Sequence, residues 1–267
     1  SVRKVDANGT PYIATDQYGH QRYDYGLPTS YGMTRPFSAT GNPLGSNQYN
    51  TNDMGVNQLN GNVFADIAFT DWLKLNINSS INYNVAEQSI YTNSFEGPGS
   101  GDKGRIEKAN TNSMRTNNTQ TLTFMKSFGL HNVDALIGHE YYKQQEKYLY
   151  ARAKGEFSPY IQEIYAYADK NDASSYTNPY NVEGFFGRAQ YNYDNRYFAS
   201  ASYRRDASSY FAKDHRWGSF WSVGGAWIMS KEKWFNAPFV DELKLKASIG
   251  QQGNDNIGAF AYTDLYT

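Results

Sequence analysis

The clearest signal along the chain is an alternation of apolar and polar residues with a period of two. In residues 73–85 the odd positions carry Leu, Ile, Tyr and Val with one Ser, whereas the even positions carry only Lys, Asn and Ser. Successive side chains of a strand point to opposite faces, so this segment predicts a strand with one apolar and one polar face. At roughly 3.3 Å per residue it would be about 40 Å long, well beyond the common strand of five or six residues.

Similar segments recur along the chain and bring the count to about eight strands. The other seven cover residues 61–70, 111–126, 132–151, 184–193, 197–204, 217–229 and 243–250. The connections alternate in length: those at 71–72, 127–130, 194–196 and 230–242 are the shorter class, and those at 87–110, 152–183 and 205–216 are the longer class. Outer-membrane barrels have this asymmetry, with short periplasmic turns and long external loops.

These patterns predict an all-β fold. We expect an antiparallel up-and-down transmembrane β-barrel segment, about eight strands of a larger barrel, with residues 57–267 in the barrel and residues 1–56 as an external loop region. The longest uncharged and mostly apolar run, residues 220–229, is too short for a membrane-spanning helix but matches the length of a membrane-spanning strand.

Aromatic residues occur at all four short turns. They are Trp72, Phe128, Tyr193, Tyr197, Trp234 and Phe235. Aromatic rings with a polar tip favour the boundary between membrane and water, so the positions predict an interfacial girdle. The alternative is that aromatic residues occur there only because they are good strand formers.

Composition and charge narrow the choice of function. The 267 residues include 24 Tyr, 15 Phe and 5 Trp, with 25 basic residues against 26 acidic ones. The near-zero net charge excludes a nucleic-acid binder that works through a basic face. A mean hydropathy of −0.74 would be unusual for a helical membrane protein, but it is compatible with a barrel because lumen and loops are wet.

The region from residue 198 onward carries specific motifs. An Ala-Ser-Tyr-Arg-Arg-Asp segment begins at Ala201, and an Arg-Trp-Gly strand start begins at Arg216. A Ser-Lys-Glu-Lys-Trp-Phe turn follows from Ser230, and a Gly-Gln-Gln-Gly-Asn strand exit begins at Gly250. In this order and spacing the motifs resemble the mid-barrel region of the SusC/RagA family, the TonB-dependent outer-membrane transporters of Bacteroidota. Ala207 stands where the family usually has Gly, and Ile249 stands where an aromatic residue is common.

The resemblance implies a function and partners. The intact protein would import an oligosaccharide or a peptide through a bacterial outer membrane, using energy delivered by TonB to move a plug inside a barrel of about 22 strands. A SusD-like surface lipoprotein would cover the external loops. No plug, TonB box or closing strand occurs in the 267 residues, so the resemblance implies an incomplete barrel whose contacts with TonB lie in other segments.

Catalytic and cofactor motifs are missing. The four histidines, His20, His131, His139 and His215, show no metal-binding spacing. The glycine-rich segment 97–104 lacks the Gly-Lys-Ser/Thr ending of a phosphate loop, so it predicts a mobile external loop. The absence of Cys removes any disulfide framework and any cysteine metal cluster. We therefore expect a protein that is not an enzyme and that has no cofactor and no metal.

Candidate substrate-binding residues come from the segment 152–183 and from one strand end. They are Tyr160, Tyr165, Tyr167, Tyr176, Tyr180, Arg204 and Arg205. Aromatic rings beside carboxylates suit sugar binding, but they equally suit packing within the loop or against a lid protein. For the two arginines the alternative is a charged rim paired with Asp206 or with lipopolysaccharide phosphates.

Two other functions stay open at this point. One is an outer-membrane barrel without transport activity, such as a surface adhesin. The other is a soluble β-rich glycan-binding module. In a soluble module Leu75, Ile77 and Ile81 would lie beneath a second layer of structure, whereas in a barrel they would face lipid.

Overall fold

The computed structural model describes residues 3–5, 8–13, 15, 19, 21, 49–94 and 97–256. The predicted external loop region 1–56 lies largely outside these residues. Near the start of the chain, β1 (Arg3–Val5) pairs antiparallel with β2 (Pro11–Ile13) in a small two-stranded sheet. Within the described residues, none of the helices has the length and apolar composition needed to cross a bilayer.

Eight further strands form one sheet. They are β3 (Thr51–Thr70), β4 (Leu73–Thr92), β5 (Arg105–Phe128), β6 (His131–Glu156), β7 (Tyr167–Tyr193), β8 (Tyr197–Ser208), β9 (Trp217–Ile228) and β10 (Lys244–Gln251). Each strand lies beside its neighbour in sequence, so the sheet order follows the chain order. The predicted up-and-down meander of eight strands is confirmed.

Several strands are longer than the alternation predicts. β4 continues to Thr92, β6 continues to Glu156, and β7 begins at Tyr167. The long connections predicted at 87–110 and 152–183 therefore shrink to 93–104 and 157–166. Likewise β3 begins at Thr51, ahead of the expected barrel boundary at residue 57. Backbone pairing continues where both faces are polar, so the period of two fades before the strand ends.

Cross-strand register sorts the side chains into two faces. In β7, β8 and β9, the pairs Ala189↔Ala201 and Ala201↔Val223 lie on what we call the apolar face. The alternate positions, such as the pair Gln190↔Ser200, lie on what we call the polar face. β10 extends the same order, with Ile249 opposite Val223. The faces agree with those that the alternation predicts.

The faces continue at the other side of the sheet, in β3 and β4. The Asn76 side-chain amide donates to Asp66 Oδ1 at 2.7 Å, and the Asn82 amide donates to Asn60. These contacts place the even-numbered residues of both strands together on the polar face. Leu75, Ile77 and Ile81 occupy the other face and are half-exposed, so no second layer of described residues covers them. A soluble module with an enclosed apolar core is therefore not what this sheet forms.

The chain divides into two compact units. The first unit comprises residues 1–57, 85–112 and 147–176, and the second comprises residues 58–84, 113–146 and 177–267. The first unit contains a buried cluster of four side chains, Tyr91, Ile106, Ala153 and Tyr167, with Ile164 and Ala166 packed against it. The second unit contains the short turns and all of β8, β9 and β10.

The glycine-rich segment 97–104 belongs to the first unit and is held in place. Gly104 N–H donates to the Gly99 carbonyl at 3.0 Å, and Gly155 N–H donates to the Asp102 carbonyl at 3.0 Å. Gly104 has φ +85°, a left-handed backbone conformation that favours glycine because it has no Cβ. The segment is thus a hydrogen-bonded hairpin tip rather than the mobile loop predicted from sequence.

Candidate functional site

The polar face of the second unit is braced by ion pairs. Arg204 Nε donates to Asp206 Oδ1 at 2.7 Å, and Arg204 Nη2 donates to Glu140 Oε2 at 2.8 Å. The same guanidinium lies 5.3 Å from the centre of the Phe186 ring. Arg204 therefore contacts residues of β6, β7 and β8 and holds these three strands together.

The register separates the two arginines that the sequence treats together. Arg204 pairs with Phe186 and Phe220 on the polar face, whereas Arg205 lies opposite Phe185 on the apolar face. The Arg205 guanidinium lies 5.2 Å above the Trp217 ring, and no described carboxylate is within ion-pair distance of it. The predicted pairing with Asp206 therefore holds for Arg204 alone.

Two of the predicted tyrosines contact the rings of tyrosines that the sequence analysis missed. In the first unit the rings of Tyr148 and Tyr176 are stacked at 5.1 Å. In the second unit the Tyr180 ring lies 4.3 Å from Tyr210 and 5.8 Å from Tyr142. The sequence contains a signal for two of these partners. Tyr142 and Tyr148 are even-numbered residues of β6, as is Glu140, so alternation puts all three on the polar face.

The Tyr180 hydroxyl is held as a donor. Its Oη donates to Asp255 Oδ2 at 2.6 Å. Burial, with that carboxylate as an additional cause, raises the pKa of Tyr180 well above its ordinary value. The phenol therefore stays neutral at physiological pH and presents an uncharged ring face.

The other three predicted tyrosines have different environments. Tyr160 and Tyr165 lie in the connection 157–166 and are 72% and 74% exposed, beside Phe157 at 88%. Tyr167 begins β7 and is only 2% exposed, inside the buried cluster. The sequence placed Tyr167 in a loop with the others. In the structure it is a packing residue, because the connection after β6 is only ten residues long and β7 already begins at Tyr167.

The aromatic residues at the short turns form a connected series of rings. Tyr197 lies 6.3 Å from Tyr193 and 6.4 Å from Trp227. Trp234 lies 6.1 Å from both Trp227 and Phe235. At the other turns, Lys126 Nζ lies 5.0 Å above the Trp72 ring and 5.3 Å above the Phe128 ring. Trp227 was not among the predicted residues.

A single carboxylate joins two of these turns. Glu232 Oε1 accepts from Tyr197 Oη at 2.5 Å and from Trp227 Nε1 at 2.9 Å, and Glu232 Oε2 accepts from Arg196 Nη1 at 3.1 Å. The hydrogen bond from Tyr197, followed by that from Trp227, lowers the pKa of Glu232 below its ordinary value. Glu232, in the motif that begins at Ser230, therefore links this connection to the turn 194–196 through hydrogen bonds.

The histidines and carboxylates of the described residues do not gather into a metal-binding group. Across those residues, no group of three or more His, Asp or Glu side chains is placed to hold a metal ion. His139 instead bridges neighbouring strands, with Nδ1 2.9 Å from Gln120 Oε1 and Nε2 3.1 Å from Glu183 Oε1. The site is therefore the sheet itself, whose polar and apolar faces suit the wall of a barrel with a polar environment on one side and an apolar environment on the other.

Comparisons with known proteins agree with that wall. A protein-family model described as "TonB dependent receptor-like, beta-barrel" matches residues 3–266. TonB-dependent receptor SusC of Bacteroides thetaiotaomicron is 28% identical over 99% of this chain and 27% of its own length. TonB-dependent receptor P3 of Formosa agariphila is 32% identical over 63% of this chain and 17% of its own length.

Solved structures show the same fold. The RagAB peptide importer in the open-open state matches with a TM-score of 0.76 and 23% identity, covering 98% of this chain and 27% of that chain. The resemblance to the SusC/RagA family and the antiparallel transmembrane β-barrel fold are both confirmed. The chain spans only 17% and 27% of the length of the two curated relatives named above.

Proposed function

The chain belongs to the family of TonB-dependent receptor-like β-barrels, and from that premise we propose that it forms wall strands of an outer-membrane importer of oligosaccharides or peptides. Members of this family are transporters, so the proposal is a transport protein rather than an enzyme. TonB would act through segments of the protein outside these 267 residues.

One observation supports the proposal most directly. Along eight consecutive strands one face is apolar and uncovered, as at Val63, Ile137 and Ile249, which are 63–75% exposed. The opposite face has ion pairs such as Arg204–Glu140 and Arg188–Asp134. An apolar outside and a polar inside are what a membrane-spanning barrel requires.

Strand length supports an orientation with the short turns in the periplasm. A barrel strand needs about 9–11 residues to cross the hydrocarbon layer. Of the strands, β5, β6 and β7 have 24, 26 and 27 residues. If the aromatic turns lie at the periplasmic boundary, these strands have more residues than the hydrocarbon layer requires.

We place the substrate against the tyrosines of the polar face. In the second unit the Tyr180 ring lies beside Tyr142 and Tyr210, and its hydroxyl contacts the Asp255 carboxylate. Aromatic faces with carboxylates suit both the C–H groups and the hydroxyls of a sugar. They also suit the side chains and amides of a peptide. RagAB is described as a peptide importer, which keeps peptides in the proposal. Arg204 would keep the wall rigid beneath them through its contacts with Asp206 and Glu140.

We assign Tyr160 and Tyr165 to contacts with a SusD-like lipoprotein. Together with Phe157 they are exposed aromatic residues on the connection 157–166. Tyr167 anchors the end of that connection in the buried cluster. Exposed aromatic residues on an anchored segment are typical of protein interfaces.

The proposal is tested with the full-length protein in its own host. Sucrose-gradient fractionation should find the protein in the outer membrane, and deletion of its gene should abolish growth on one oligosaccharide or peptide substrate. The double variant Tyr142→Ala/Tyr180→Ala should lower uptake at least about fivefold while surface abundance stays normal, since each aromatic contact contributes about 0.5–1.5 kcal/mol.

The matched control is Tyr141→Ala, a tyrosine of β6 at an odd position, on the apolar face. Its uptake should equal that of the wild type. Normal uptake by the double variant would remove the substrate assignment. A protein that fractionates to the outer membrane but whose deletion affects no uptake would indicate a barrel without transport activity.

A further inference from the structure

The apolar face of the second unit has a shallow depression of about 860 Å³. Its floor consists of side chains no larger than a methyl group, namely Ala135, Gly187, Ala189 and Ala201. The register places Ala189 opposite Ala201, so the small residues are continuous across β7 and β8. Larger side chains, including Ile137, Tyr203 and Trp221, stand around this floor.

The depression lies at the height of the hydrocarbon layer. Tyr193 and Tyr197 are the last paired residues before the turn 194–196. Ala189 lies four residues from Tyr193, and Ala201 lies four residues from Tyr197. At a rise of about 3.3 Å per residue and a tilt of about 40°, these residues lie roughly 10 Å from the turn, near the middle of a hydrophobic band of about 25 Å. Lipid acyl chains are therefore what surrounds this surface in the membrane.

The rim of the depression has a cation, Arg205, with no ion-pair partner among the residues that the structure describes. Phe185 lines the depression, and Arg205 lies directly opposite it on β8. The guanidinium is 5.2 Å above the Trp217 ring, which fixes its position without neutralising its charge. Arg205 is about 20 Å from the turn by the same arithmetic, so its long side chain reaches the outer boundary of the hydrocarbon layer.

Glu183, two residues before Phe185 on the same face of β7, already has a partner. Glu183 Oε1 is 3.1 Å from His139 Nε2, and the other nitrogen of that ring contacts Gln120. The His139 ring in turn lies 4.7 Å from Phe185. The rim therefore has the cation of Arg205 beside three polar side chains, Gln120, His139 and Glu183, of which His139 contacts the other two.

We propose that this surface is a binding site for a phosphate-bearing lipid of the outer leaflet, with an acyl chain in the depression and its phosphate at Arg205. The assignment rests on the proposed outer-membrane location. Charge complementarity favours this occupant, because a phosphate neutralises the guanidinium through charge-assisted hydrogen bonds. A second copy of the chain on this face would have to bury Arg205 without a partner, which is costly.

The test uses the full-length protein in a mild detergent and native mass spectrometry with two probes. One probe is phosphatidylglycerol, and the other is monogalactosyl diacylglycerol, which has two acyl chains but no phosphate. The wild type should retain phosphatidylglycerol about fivefold more than the galactolipid, the effect expected of one cation at an anionic lipid surface. Arg205→Gln should abolish this preference, and Ala189→Trp should remove both adducts by filling the depression.

Two controls match these variants. Lys246→Gln removes a cation from the polar face, and Ala65→Trp enlarges an alanine of the apolar face outside the depression. Both should bind like the wild type. An unchanged preference in Arg205→Gln would overturn the proposal even if Ala189→Trp failed to fold.

A photo-crosslinking residue separates the possible occupants. Val223→p-benzoylphenylalanine, at the edge of the depression, should crosslink to lipid in intact cells. Crosslinking to a second copy of the protein, or to nothing, would overturn the lipid assignment. Normal uptake with no lipid crosslink would reject this site alone, whereas absence of the protein from the outer membrane would reject the proposed function as well.

Discussion

The two units of the chain bury their apolar side chains in different ways. The first unit encloses Tyr91, Ile106, Ala153 and Tyr167, each at most 2% exposed. In the second unit Ile228, at 5%, is the one apolar side chain among the described residues that is buried. Its larger apolar residues, such as Val63 and Ile249, are instead mostly exposed.

The difference indicates two sources of stability. The first unit has a small core of its own, and hydrogen bonds within the unit satisfy some of its buried polar groups, as where Asn93 N–H and its side-chain amide donate to Asn50 Oδ1 at 2.9 and 2.7 Å. The second unit leaves the burial of its apolar face to the surrounding medium. Hydrocarbon therefore has to supply what a second layer of protein supplies in a soluble sheet.

The largest expected effect is in the core of the first unit. Ile106→Ala should destabilise this unit by about 2–5 kcal/mol, because it removes a fully buried side chain and leaves a cavity. Hydrogen exchange of the full-length protein should show faster exchange at 97–112 and 147–176. The control Tyr165→Ala, at a residue 74% exposed, should change exchange only locally. Equal exchange in Ile106→Ala and wild type would show that the cluster is not a core.

The second unit should respond instead to charge on its apolar face. Ile77→Arg, five residues beyond Trp72, should cost about 2–4 kcal/mol near the bilayer midplane and reduce the amount of folded protein in the outer membrane. Asn78→Arg places the same charge on the polar face and should be tolerated. The measurement is urea unfolding in lipid vesicles. Equal losses in the two variants would contradict the assignment of faces.

A smaller effect, of opposite sign, is expected at Tyr167. Its buried hydroxyl has no hydrogen-bond partner among the described residues. Tyr167→Phe should therefore leave stability unchanged or raise it by about 1 kcal/mol, since an unsatisfied buried hydroxyl is costly. Tyr91→Phe is the matched variant: it loses the bond from Oη to Glu156 Oε2 at 2.8 Å and should be destabilising. Thermal unfolding of the first unit, followed by proteolysis, distinguishes the two.

The smallest effect is expected at the short turns of the second unit, and it depends on pH. The folded state holds the pKa of Glu232 below 4.5, so the ionised carboxylate stabilises the fold above that pH and this contribution is lost as the pH falls below it. Glu232→Gln should lower the unfolding temperature at pH 7 and flatten its decline below pH 4.5. Glu242→Gln, an exposed residue of the same connection, should keep the wild-type profile.

The candidate residues show where sequence reasoning stops. Alternation ended a strand at Arg204 and left Arg205 in the next connection, so it did not reveal that the two lie on opposite faces of β8, where Arg204 reaches Glu140 and Arg205 lies over Trp217. Tyr167 has the same local composition around it as Tyr165, yet one is buried and the other exposed. Such differences depend on which residues oppose each other across strands, and this pairing is a long-range property.

The connection predicted at 230–242 belongs to the shorter class by sequence, but in the structure it spans residues 229–243 and is the longest between the eight strands. The sequence by itself determined the strand count, the other three short connections, and the two faces. All three follow from local rules, because side chains alternate along any strand and turns interrupt that alternation. Only the tertiary structure decided how far each strand continues, that residues 97–104 form a held tip, and that small residues of neighbouring strands combine into a hollow on the apolar face. These features arise from register and packing between segments far apart in the chain, for which no local pattern exists.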